Sequence, residues 1–302
     1  MPDTRRPLDA TAVTAMVVSC AIWGFQQVAV KLAAHGVSLV MQGALRSAIA
    51  FALVLAWAAV RRIPLAERDA TLWPGLLAGT LFAAEFAMIY AGLAHTTASR
   101  MVVFLYLAPC LTALGLVLFV PGEALSMLQW LGIALAFAGI VAAFGDGFFV
   151  QGRATLLGDA LGVAAAFGWA ATTVLIRATA LARASATKTL AYQLGVSAVL
   201  MFALSRALGE PGVVELTPLA AASIAYQAVV VAFASYLVWF WLLTRYLASR
   251  LAVLLFATPL FGVAFGHLVL GDALTPAFLA AAGLVGAGIA LVNLRATRAD
   301  SA

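Results

Sequence analysis

"ASRMVVFLYLAP" runs from Ala98 to Pro109, and "ASRLAVLLFATP" runs from Ala248 to Pro259. Each phrase opens on Ala-Ser-Arg, continues through apolar residues and closes on a proline, the two lying 150 positions apart. The match widens on both sides. "PGEALS" at Pro121 answers to "LGDALT" at Leu270, and Gly139-Ile140 to Gly288-Ile289. Trp23 and Lys31 stand eight apart, as do Trp169 and Arg177. Self-similarity over such a distance means one structural unit built twice, here over residues 11–145 and 156–294.

The composition says what surrounds that unit. The chain has 302 residues, 65% hydrophobic and 10% charged, with a mean hydropathy of +1.08. Soluble domains are roughly half apolar and about a quarter charged, so the solvent expected here is a lipid bilayer. The net charge of +5 does not point to nucleic acid, because the basic residues sit at the ends of apolar runs rather than in a patch. Cys20 and Cys110 lie inside such runs and read as small buried hydrophobes.

A bilayer core about 30 Å thick needs about 20 apolar helical residues. Ten runs qualify: 11–33, 37–60, 70–93, 97–119, 127–145, 156–178, 188–208, 217–243, 248–270 and 274–294. The links are short and carry helix-ending chemistry, as in "RRIPLAERD" from Arg61 and "LGEPGVVELTP" from Leu208. The first run follows Arg5 and Arg6 as a signal peptide would, but it is long, carries Gln26 and Gln27 and has a later counterpart, so it reads as a span. Five spans per half is an odd number, so the second half enters the membrane upside down. The expected fold is all-α integral membrane, with ten transmembrane helices in two inverted five-helix repeats. Such pairs hold a substrate near the midplane and open to either side in turn. With the N-terminus in the cytoplasm, 12 Lys and Arg residues fall on that side and 4 on the other (Lys31, Arg100, Arg153 and Arg206). Both termini are therefore expected in the cytoplasm. Scarce Lys with abundant Ala, Gly and Arg points to a GC-rich bacterial genome and hence to an inner membrane.

The pattern resembles the EamA-type branch of the drug/metabolite transporter superfamily. The resemblance rests on Trp23-Gly24 with Lys31, "GEALSMLQWLG" from Gly122 to Gly132 with Gly139, "GDALG" from Gly158 with Trp169, Pro109 and Pro259, and "GDALT" from Gly271. It implies ten helices, two inverted halves, a central substrate cavity and, within the superfamily, a likeness to the aromatic amino-acid exporters. The two halves differ where Asp272 stands for Glu123, and no later residue matches Gln129 or Arg46.

Ionisable groups at mid-membrane are costly, about 2.5–3.5 kcal/mol on insertion scales. Arg46 and Glu85 stand out, at similar expected depths of roughly 15 and 12 Å at 1.5 Å per residue. Two readings fit them: an ion pair that neutralises itself, or a pair that borders a cavity and meets a zwitterion. Trp23, Gln26 and Gln27 share one helical face, and Trp169, Thr172 and Thr173 repeat the spacing. The threonines read best as bonding their own helix, whereas Trp23, Gln26 and Trp169 read as cavity residues. Phe82, Glu85 and Phe86 share a face, as do Ser235, Tyr236 and Trp239, and Tyr106 lies deep enough for its hydroxyl to need a partner. Tyr226 and Gln227 are weaker candidates of the same kind. Trp57, Trp73 and Trp130 suit an interfacial belt. The candidate substrate residues are thus Trp23, Gln26, Arg46, Phe82, Glu85, Tyr106, Trp169, Thr173, Tyr236 and Trp239. Glu123 and Asp272 read as caps of the helices they precede, Asp159 as a first-turn residue, and His95 and His267 as packing or surface residues.

The chain lacks a GxxxxGK phosphate loop, and its few intramembrane ionisables have no ligand-like spacing. No cofactor, metal or catalytic residue is expected. The expected function is a secondary transporter that exports small amphipathic metabolites, amino acids above all, and works as a monomer. The alternative is a multidrug exporter of lipophilic cations with Glu85 as counter-charge. A phosphate site would want several deep cations, and Arg46 alone qualifies.

Overall fold

A computed structural model describes residues 9–67, 69–119, 125–146, 153–246, 251, 254–255 and 257–294. Glu123 lies outside these residues, as do Arg250 and both chain ends. The helices are α1 (Ala10–Ala33), α2 (Leu39–Arg61), α3 (Leu72–Gly92), α4 (Ala98–Leu105), α5 (Ala108–Phe119), α6 (Met127–Asp146), α7 (Arg153–Ala178), α8 (Ala186–Ala207) and α9 (Pro218–Ala225). A π-helical segment, Tyr226–Ser235, joins α9 to α10 (Tyr236–Arg245), followed by α11 (Ala257–Leu270) and α12 (Pro276–Leu294). Among the described residues no strand forms. Seven spans are long and apolar enough to cross a membrane, with three shorter apolar helices at Met127–Ala143, Ala257–Leu270 and Pro276–Val292.

Local chemistry sets the helix ends. Asp9 caps α1 by accepting from the Ala12 N–H at 2.8 Å, and Thr97, Ser185 and Thr217 cap α4, α8 and α9 in the same way. The run from Ala98 to Phe119 is not one helix. It breaks at Tyr106 and Leu107, just before Pro109, which lacks an N–H to continue the ladder. In the eighth run the winding loosens to i→i+5 bonds over ten residues, which neither a proline nor a glycine explains.

Packing follows the sequence duplication. Exchange of the two repeats maps α1 onto α7, α2 onto α8, α3 onto α9–α10, α4–α5 onto α11 and α6 onto α12. α2 packs on α8, α4 on α11 and α6 on α12, each pair being its own counterpart. The α3–α7 contact is mirrored by α1 on α9 and the π segment, and the α1–α11 contact by α7 on α4 and α5. Matched serines, Ser47 and Ser197, hydrogen bond at 3.2 Å where α2 crosses α8. α6 and α12 touch through small residues: a Cβ on Gly132 would meet the Gly288 carbonyl at 2.7 Å, and one on Gly139, the match of Gly288, would meet the Ala281 carbonyl at 2.7 Å. Small residues here let two backbones meet, the usual solution where lipid removes the hydrophobic drive for association.

Candidate functional site

Two groups of buried polar residues lie in the bundle. The first is at one end. Arg100, at the start of α4, is fully buried and saturated with acceptors. Its Nε and Nη2 donate to Asp159 of α7 at 3.1 and 2.6 Å, Nη1 to Asp146 of α6 at 2.8 Å, and Nη2 also to the Ala143 carbonyl at 2.6 Å. Thr96 donates to Asp159 at 2.7 Å and Thr275, beside α12, donates to Asp146 at 2.5 Å. Next to them the Asp272 carboxylate accepts from the Ser99 N–H at 2.8 Å, and Lys31 of α1 lies within its electrostatic reach. Five elements from both repeats are thus tied together. This corrects two readings from sequence: Asp159 answers a cation rather than only its own helix turn, and Asp272 caps α4 rather than the helix that follows it. The reason is tertiary, since the partners lie 59 and 173 positions away. His267 holds the Asp272 carbonyl through Nδ1 at 2.9 Å, in keeping with a packing role.

The second group lies deeper, between the repeats. Arg46 is wholly buried in α2, seven residues or about 10 Å from the helix start. Its guanidinium lies over the Phe86 ring at 3.9 Å and beside Phe82 at 5.9 Å. Glu85, Tyr90 and Tyr236 are within reach of its charge. Yet Nε, Nη1 and Nη2 have no hydrogen-bond partner among the described residues. Tyr236 approaches without completing a bond of normal geometry, and Glu85 is a neighbour rather than a hydrogen-bonded counter-ion. A hydrogen-bonded Arg46–Glu85 pair is therefore absent among the described residues. A cation on an aromatic face gains about 2 kcal/mol when desolvated, whereas a buried cation without a partner costs several, so the aromatic faces alone do not satisfy the guanidinium.

Around it the polar groups are better served. Tyr90 donates to the Gln227 carbonyl at 2.6 Å, Gln227 donates to Gln42 at 3.1 Å, and Gln42 donates to the Val37 and Val30 carbonyls at 3.0 and 3.2 Å. This chain locks α3, the π segment, α2 and the end of α1. Trp23 donates to Ser235 at 2.7 Å and meets Trp239 edge-on at 6.1 Å. Tyr106 meets Trp169 edge-on at 5.4 Å. Glu85 packs against Gly168, next to Trp169: a Cβ on that glycine would stand 3.2 Å from the Glu85 Cβ.

The sequence candidates are therefore distributed as follows. Arg46, Phe82, Glu85 and Tyr236 form one neighbourhood, Tyr106 and Trp169 a pair beside it, and Trp23 and Trp239 a second pair further along the π segment and α10. Gln26 is buried. Thr173 gives its hydroxyl to the Trp169 carbonyl at 3.0 Å, and Thr172 does the same to Gly168 at 2.9 Å. Sequence reading missed Tyr90 and Gln42. Tyr90 falls on the Phe82–Phe86 face at i+4 from Phe86, a spacing that could have found it; Gln42 gave only the weak signal of one amide in an apolar run.

A bundle of apolar helices in two matched halves, with buried polar groups held between them, is the architecture of a polytopic membrane protein. The EamA-like transporter family matches residues 10–145 and again 156–294, and the chain belongs to that family. It is a membrane transporter of small molecules. A crystal structure of another protein, 23% identical, aligns with a TM-score of 0.68 over 95% of this chain and 99% of its own; at that identity the likeness carries the fold alone. No curated protein sequence matches the chain.

Proposed function

We propose that the chain is a secondary transporter that exports small amphipathic amino acids, aromatic or otherwise neutral, by alternating access. Two inverted repeats, ten spans in all, enclose one pocket between them. The observation that carries this reading is the meeting of Arg46, Phe82 and Glu85 from the first repeat with Tyr236 from the second, flanked by the Tyr106–Trp169 pair. Such a place offers both signs of charge and aromatic faces, which suits a zwitterion with an apolar side chain. Trp23, Gln26, Thr173 and Trp239 extend the pocket along α1, α7 and α10. The bias of Lys and Arg puts both termini in the cytoplasm of an inner-membrane protein, so the Arg100 end faces outward. One chain carries both repeats and works as a monomer.

Counterflow into liposomes holding the purified protein tests this. Uptake of labelled neutral amino acids, abolished in Trp169→Ala at normal folded yield, is the expected result. Failure of every amino acid to exchange would sink it. The second reading, export of lipophilic cations, draws on Glu85 being buried and not hydrogen bonded by Arg46. It predicts cation transport that Glu85→Gln removes while amino acids are ignored.

A further inference from the structure

The unanswered guanidinium is the strongest chemical demand inside this molecule. Arg46 is 0% exposed, and all three of its nitrogens lack a partner among the described residues, while Arg100 has every nitrogen engaged. Phe86 and Phe82 cover the guanidinium's face. Its N–H groups lie in the guanidinium plane, so contact on the face leaves the donating edge unused. A planar fork of donors fits a carboxylate through two parallel hydrogen bonds.

The site occurs once. Ser47 and Ser197 are matched across the repeats and bonded to each other. The residue matched to Arg46 is therefore Val196, which packs against Gly79. A scaffold nearly symmetric in its packing thus carries one cationic anchor, on one side of the α2–α8 crossing, and a ligand held there has a fixed orientation. Glu85, close by but not bonded to Arg46, is placed for a cation on the same ligand. Phe82 and Tyr236 offer it apolar surface.

We propose that Arg46 is the carboxylate anchor of the transported molecule, so that the substrate is a free α-amino acid and not its amine or amide. The inference rests on the amino-acid reading above and deepens it. Arg46 is sealed in this arrangement, so the carboxylate reaches it only when the repeats part, and it then gives the guanidinium a charge-assisted pair.

The test compares wild type with Arg46→Gln and Arg46→Lys, using L-phenylalanine, L-phenylalaninamide and phenylpyruvate as probes in thermal shift and counterflow, within a panel of amino acids and their amides. Wild type is expected to prefer acid to amide. Arg46→Gln is expected to reduce that preference at least about tenfold, and to unfold at a higher temperature than wild type without ligand, because an unpaired buried charge is gone. Arg46→Lys keeps a reduced preference. If Arg46→Gln retains the full acid preference, or is less stable than wild type or fails to fold, Arg46 is structural and the anchor is overturned while amino-acid export stands. If wild type carries phenylpyruvate but no amino acid, the anchor stands and the amino-acid reading falls. If only cations are carried, both fall.

Discussion

The two ends of the bundle are built from matched helices and are tied in unlike ways. At one end Arg100, Asp146, Asp159, Thr96 and Thr275 form a network shut off from solvent. Beside it Glu210 caps α2 from outside, accepting from the Val40 and Met41 N–H groups at 3.0 Å each, and Val37 bridges to Val213. At the other end the tie that answers Thr96 on Asp159 joins the matched helix ends through a different position: Tyr246 donates to Asp9 at 2.8 Å, whereas the residue aligned with Asp159 is Val13. The counterpart of the Glu210 latch is Asp69, paired with Lys188 at 2.8 Å and with its side chain 37% exposed. Duplication fixed where the ties sit. What differs is water: one end excludes it, and the other leaves its ion pair wet. Under the proposed alternating access, the Arg100 end would be the harder to open.

Four comparisons would break or sharpen that contrast. Arg100→Leu strands two buried carboxylates and is expected to cost about 3–5 kcal/mol, read as lost folded yield and a lower unfolding temperature in detergent. A loss no greater than that of Lys188→Met would erase the contrast. Gly139→Val and Gly288→Val, matched positions in the α6–α12 contact, should each cost about 1–3 kcal/mol by overpacking and should match each other; unequal melting temperatures would mean that the asymmetry reaches this contact. Glu210→Ala uncaps α2 and should cost about 1 kcal/mol, checked by the same melt. Asp69→Asn should do least. The Lys188 and Thr71 hydrogen bonds hold the Asp69 carboxyl down at about 2, below its unfolded value of about 3.9. Its contribution is therefore complete above about pH 4 and fades as pH falls toward 2. Wild-type and Asp69→Asn melting curves should differ slightly at pH 6 and converge at the acid end; a difference that grows with acid would reverse the sign.

How much of this the sequence could show follows from the range of each signal. The repeated Ala-Ser-Arg phrase and the apolar runs are local patterns, so the two units and their helices could be read directly. Arg46 and Glu85 were visible because charges in oily runs are conspicuous. Their failure to pair was not, since it depends on Phe86 lying against the guanidinium. Arg100 read as a loop residue because its acceptors belong to α6 and α7, and no periodicity links Arg100, Asp146 and Asp159. The break before Pro109 follows from proline chemistry, whereas the loosened winding from Tyr226 has no residue of its own to announce it.

That loosened segment has a consequence for geometry. With bonds to the fifth residue instead of the fourth, successive side chains advance by a smaller angle than in an ordinary helix. Were Tyr226–Ser235 to tighten into ordinary winding, it would lengthen and screw α10 about its own axis. Tyr236 and Trp239 would be carried away from Arg46 and Trp23, while Gln227, clasped by Tyr90 and Gln42, stayed in place. The span thus holds slack in its coil, and taking it up would turn Tyr236 and Trp239 while Gln227 and Arg46 kept their places.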